Sequence, residues 1–94
     1  MFSRVESVLS AKGLGLDYLF FVKDCAIDLS LVGIVCTRDD GSVKIIAEGQ
    51  EDNLVKFVER TKQRNATHPI ENFYLKWGKY TGEFKEFTTD CGHH

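Results

Sequence analysis

Residues 31–49 read LVGIVCTRDDGSVKIIAEG, and no other stretch limits the fold as strongly. Two runs rich in β-branched residues flank Asp40-Gly41, and an Asp-Gly pair in that setting is a strong short-range signal for a hairpin. On the second run Val43, Ile45 and Ala47 fall on one face and Lys44, Ile46 and Glu48 on the other. The spacing predicts one buried face and one mostly wet face.

A helical pattern stands on each side of this hairpin. From Asp17, read as an N-cap, Tyr18, Val22, Cys25 and Leu29 recur at helical spacing and predict one buried stripe. Residues 51–63, EDNLVKFVERTKQ, place acids in the first turn and bases later, with Leu54, Phe57, Val58 and Thr61 on one side. The flanks alternate instead. FSRVESVLS (2–10) has Phe2, Val5, Val8 and Leu9 as its apolar members, and IENFYLKW resumes alternation after Pro69 through Phe73, Leu75 and Trp77. A YTGEF turn and a short strand around Lys85 to Thr88 complete the order β-α-β-β-α-β-β.

Helices on either side of a hairpin pack naturally on one face of an antiparallel sheet, here of four to five strands. The fold class is therefore α+β, a ferredoxin-like split βαβ sandwich. One domain accounts for residues 1–89, and the tail 90–94, with its closing CGHH, reads as including an expression-tag remnant, so His93 and His94 enter no metal argument.

Composition narrows the function classes. Twelve basic and 14 acidic residues give a formal charge of -2, so no overall field draws in a nucleic acid. The strand SVKIIAEG also offers no aromatic for base stacking. Three cysteines, Cys25, Cys36 and Cys91, without a CxxC, argue against a disulfide framework or a zinc site and for reduced thiols in a cytoplasmic protein. Neither a metal nor a cofactor is expected. No run is long enough for a membrane span, and no secretory signal opens the chain.

The remaining feature is AKGLGLDYLF (11–20), a glycine-punctuated loop entering an apolar helix, a layout that presents backbone amides to phosphate. From Phe21 to Phe87, about two thirds of the chain, FVKDCAIDLSLVGIV, DGSVKIIAEG, IENFYLKW and TGEF closely resemble the acylphosphatases, with spacing preserved. That resemblance implies hydrolysis of the mixed anhydride of a carboxylic acid and phosphate. It also implies a phosphate loop of the form GxVQGVGFR, whose Arg wraps the phosphate, and an Asn at the end of a WVRN-type strand that positions water.

Carried over without gaps, the loop equivalents are Lys12, Gly13, Leu14, Gly15, Leu16, Asp17 and Tyr18, and the Arg position holds Leu19. Of the spaced glycines only Gly15 is retained, since Ala11 and Asp17 replace two others and Gly13 is out of register. The Asn position holds Thr37. Leu offers neither charge nor a donor to a phosphate, and Asp17 adds repulsion at the helix entrance.

The substitute cations within reach are Lys12, Lys23 and Arg38, each more plainly read as a solvated surface charge. His68, in a loop, reads as a surface residue; Glu48 and Glu51 do not form an acid pair. Tyr18, Phe20 and Phe21 read as core or near-core packing, while Leu14, Leu16 and Leu19 form a greasy loop suited to burial or contact. Two functions follow: a divergent acylphosphatase-like domain, inactive or very weak, acting as a binding or regulatory module for a small phosphorylated ligand or a protein partner; or a working acylphosphatase with an altered site. Edge strands and the leucine-rich loop leave a dimer open.

Overall fold

In a computed structural model of the protein, the described residues are 1–10, 16–63 and 72–89. They form β1 (Phe2–Ser10), α1 (Leu16–Asp28), β2 (Val32–Thr37), β3 (Val43–Gln50), α2 (Glu51–Gln63), β4 (Asn72–Gly78) and β5 (Phe87–Thr88). The expected elements are all present. Pro69 and His68, together with residues 11–15 and the tail, lie outside the described residues.

The sheet runs β4-β1-β3-β2-β5. Its first three pairings are antiparallel, but β5 lies parallel to β2, with Gly33 beside Phe87 and Ile34 beside Thr88. The sheet is thus mixed, not purely antiparallel. The reason is topological: β4 and β5 occupy opposite edges, so residues 79–86 cross the back of the sheet before the chain joins β2.

The hairpin forms at Asp40-Gly41. Gly41 donates its N–H to Arg38 O at 2.9 Å and adopts φ 87°, a left-handed value that glycine takes without a Cβ penalty. Asp40 Oδ1 accepts from Ser42 N at 2.9 Å and Ser42 Oγ at 2.6 Å, which fixes the turn.

Val5 and Leu9 of β1, Val35 of β2, and Val43, Ile45 and Ala47 of β3 meet Leu19, Val22, Ala26, Leu54 and Phe57 of the helices in one core. The helical stripe of Tyr18, Val22, Cys25 and Leu29 is buried as its spacing predicts. Tyr18 also donates its hydroxyl to Thr61 O at 3.0 Å, which ties the start of α1 to the last turn of α2.

Several side chains depart from the sequence expectations. α1 begins at Leu16, so Asp17 sits inside the first turn and is not the N-cap. Phe20 is exposed, whereas Tyr18 is buried and Phe21 packs against the core. Trp77 is 41% exposed although it shares the core-side register of Val5, because β4 is an edge strand and the helices cover its far end incompletely. Cys36 is disulfide-bonded, against the expectation of reduced thiols, while Cys25 is free and buried. Finally, the second face of β3 is not simply wet: Glu48 on that face is 0% exposed, because the 79–86 crossover lies over it.

Candidate functional site

The resemblance directs attention to the sheet end where the chain passes from β1 toward α1. Leu9 pairs with Val43, and Val43 pairs with Thr37, so the last residues of β1 and β2 share one row across β3. The fold therefore brings Thr37 to the same end of the sheet from which residue 11 departs. Lys12, Gly13, Leu14 and Gly15 lie outside the described residues.

The first turn of α1 splits its residues between core and surface. Leu16 is 70% exposed and Asp17 is exposed, whereas Tyr18 and Leu19 are buried. Leu19 retains only 5% of its surface and belongs to the same apolar cluster as Val22, Val35 and Val43. The three leucines of the greasy stretch thus do not act together: Leu16 points outward, Leu19 is core, and Leu14 is outside the described residues.

The charges near this end are mixed. Lys23 is half-buried on α1, one turn beyond Leu19, and Arg38 is exposed directly after Thr37. Against them stand Asp17, Asp39 and Asp40, all exposed. The Ser42 hydroxyl, and then its backbone N–H, hold the Asp40 carboxyl below the usual carboxylate range, so that charge persists into mild acid. Thr37 is itself exposed and provides one hydroxyl, able to donate once and accept, but not the paired donor and acceptor of an amide. Among the described residues no group of three or more His, Cys, Asp or Glu could hold a metal ion.

A second polar centre lies on the back of the sheet. Arg4 of β1 contacts Glu48 at 2.8 Å and also binds Glu83, while its guanidinium stands 5.8 Å over the Phe84 ring. Glu48 accepts further from Thr81 Oγ1 at 2.7 Å, Thr81 N at 3.0 Å and Gly82 N at 3.0 Å. Burial opposes the Glu48 charge, but the Thr81 hydroxyl, Arg4 and the two backbone donors outweigh it and lower its pKa. Every oxygen of this carboxylate is occupied by the crossover, which makes it a fastener between strands and not an open site. The sequence places Glu48 only on the mostly wet face of its strand, because a Glu at an alternating position carries no mark of a loop that returns 33 residues later.

The comparisons with known proteins agree with this geometry. The acylphosphatase family model matches residues 14–89, which includes the end of the loop and the whole of α1. The acylphosphatase of Pelotomaculum thermopropionicum is 31% identical over 85 residues, covering 90% of this chain and 92% of that protein. The one from Caldanaerobacter subterraneus is 30% identical over 76 residues, covering 81% and 82%. The crystal structure of acylphosphatase from Bacillus subtilis superposes with a TM-score of 0.84 at 27% identity, covering 96% of this chain and 99% of that one. A mixed five-stranded sheet in the order β4-β1-β3-β2-β5, two helices on it, and a match extending through the loop-to-helix junction together give the assignment: the chain belongs to the acylphosphatase family.

Proposed function

We propose that this acylphosphatase-family domain hydrolyses acyl phosphates weakly or not at all and serves as a binding or regulatory module, for a small phosphorylated ligand or a protein partner. The observation that carries this reading is the burial of Leu19. At the position where the resemblance expects an Arg to grip phosphate, an aliphatic side chain is packed into the core at 5% exposure. Supplying charge-assisted donors to a developing anion is worth about 10² to 10³ in rate for a single group. Leu19 supplies none, Thr37 replaces the expected amide, and Asp17 adds a negative charge in the first turn of α1.

The direct test is hydrolysis of an aryl acyl phosphate such as benzoyl phosphate, followed against its spontaneous breakdown. The expected result is a rate close to the uncatalysed one. Turnover at an ordinary enzymatic rate that disappears in Lys12→Ala or Lys23→Ala overturns the reading in favour of a working enzyme with substitute cations. A phosphate titration followed by amide NMR examines ligand binding separately. Shifts confined to residues 16–19 support an anion ligand; unshifted amides there leave the protein partner as the module's ligand.

A further inference from the structure

Strand β4 stands at one end of the sheet order, and among the described residues it pairs with β1 alone. Its register against β1 runs unbroken from Arg4–Gly78 to Ser10–Asn72, so no bulge turns this edge away. Natural sheets blunt an edge of this length with prolines, several charges or a cover, yet β4 holds no proline and one charge, Lys76. It carries apolar bulk instead. Tyr74 is 56% exposed and Trp77 41%, while Phe73 and Leu75 are half-buried. We propose that β4 is a dimerisation edge, pairing antiparallel with β4 of a second copy about a two-fold axis through Leu75.

What selects a second copy is that the strand complements itself. Identical antiparallel strands are related by a two-fold axis normal to the sheet, so residues that face each other lie on the same side of it. Centring on Leu75 uses the whole strand. On the helix side Phe73 then meets the partner's Trp77 and Leu75 meets the partner's Leu75; on the outer side Tyr74 meets the partner's Lys76. Aromatic pairs and an ammonium against a phenol ring are favourable cross-strand neighbours. Centring on Lys76 would oppose two lysines, and centring on Tyr74 would leave the Trp77 end without a neighbour.

The cover over the strand is complementary in the same sense. Lys62 Nζ stands 4.9 Å from the Phe73 ring centroid, so that end of the inner face is filled within one copy, whereas Trp77 at the other end is left open. The two-fold axis brings the filled end of each copy against the open end of the other. Both sheets continue with their helices on one side, and the backbone groups directed away from β1 gain partners.

The experiment is sedimentation velocity on the full chain from about 1 μM to about 1 mM, with tryptophan emission recorded over the same range. Trp77 is the chain's only tryptophan, so its emission reports this edge. The expected result is a monomer–dimer equilibrium whose dimer arm coincides with a blue shift of that emission. Tyr74→Lys places a lysine opposite the partner's Lys76 twice per dimer and should weaken dimerisation by about tenfold or more, whereas Tyr74→Glu should stay within about threefold of the wild type. Tyr74 is exposed, so both variants should keep the wild-type circular dichroism spectrum. A chain that stays monomeric overturns the proposal, as does a dimer that leaves the emission unchanged. Equal weakening by Tyr74→Lys and Tyr74→Glu overturns the pairing about Leu75, and with it the proposal. These readouts do not depend on whether the domain hydrolyses acyl phosphates.

Discussion

A carboxylate with no exposed surface survives as an anion only where donors replace its water, and Glu48 has four of them from Arg4, Thr81 and Gly82. Its folded pKa lies below the unfolded value, so its contribution to stability is fully present above the unfolded carboxylate pKa of about 4.3 and is lost as pH falls through the lower folded value. Glu48→Gln removes the charge but keeps the shape, and should cost about 1–3 kcal/mol at neutral pH. Urea denaturation at pH 7 and pH 3 measures both effects: the wild type should lose stability on acidification more steeply than Glu48→Gln, and parallel losses would show that the network carries no linkage. Glu48 is also where sequence reasoning stopped short. Alternation placed it on the outer face correctly, but its burial comes from a crossover whose path no local pattern encodes. Leu19 is an intermediate case: the sequence leaves burial or contact open for it, and the structure puts it in the core.

At the level of elements, α1 ends in a Schellman arrangement. Leu31 N donates to Ala26 O at 2.8 Å and Ser30 N to Ile27 O at 3.0 Å, with Ser30 at φ 58°. This left-handed residue is not glycine, so Ser30→Gly should raise stability by about 0.5–1 kcal/mol, read as a shift in the denaturation midpoint. Gly33 presents the opposite constraint. It adopts φ 149°, and a Cβ there would stand 1.9 Å from Ile46 O in the neighbouring strand. Gly33→Ala should therefore cost more than about 2 kcal/mol or prevent folding, whereas Gly41→Ala, at φ 87° with open space around it, should cost about 1 kcal/mol. Equal costs at the two positions would remove the steric argument. Both helices, the hairpin and the four longer strands were legible because each carries a local period or turn signal. The parallel pairing of β5 was not, since two residues have no period and strand direction is decided by the crossover. The position of Asp17, one residue inside α1, falls within the ordinary imprecision of reading helix ends from capping preferences.

Across the whole molecule, the scaffold and the candidate site rest on different numbers of residues. The core joins both helices to the inner strands, the strand order places Thr37 at the same sheet end as the exit of β1, across β3, and the family match runs through the loop-to-helix junction. The fold was legible because dozens of positions agree on it. A catalytic site rests on few residues, and a sequence can alter those without disturbing the period of anything around them. On the proposed reading, in which the domain hydrolyses acyl phosphates weakly or not at all, Asp17→Gly, Leu19→Arg and Thr37→Asn together should raise activity. Leu19→Arg alone directs a guanidinium into a position that is now 5% exposed, so it should lower stability by several kcal/mol unless the side chain turns toward the sheet end, where an anion could pair with it. The expected outcome is a triple variant that melts below the wild type, is stabilised by added phosphate, and hydrolyses benzoyl phosphate at least about 10²-fold faster than the wild type, with no single substitution sufficient. Circular dichroism fixes whether the variant is folded. A folded triple variant that gains neither phosphate stabilisation nor turnover would overturn the proposal that Leu19 and Thr37 account for weak or absent hydrolysis.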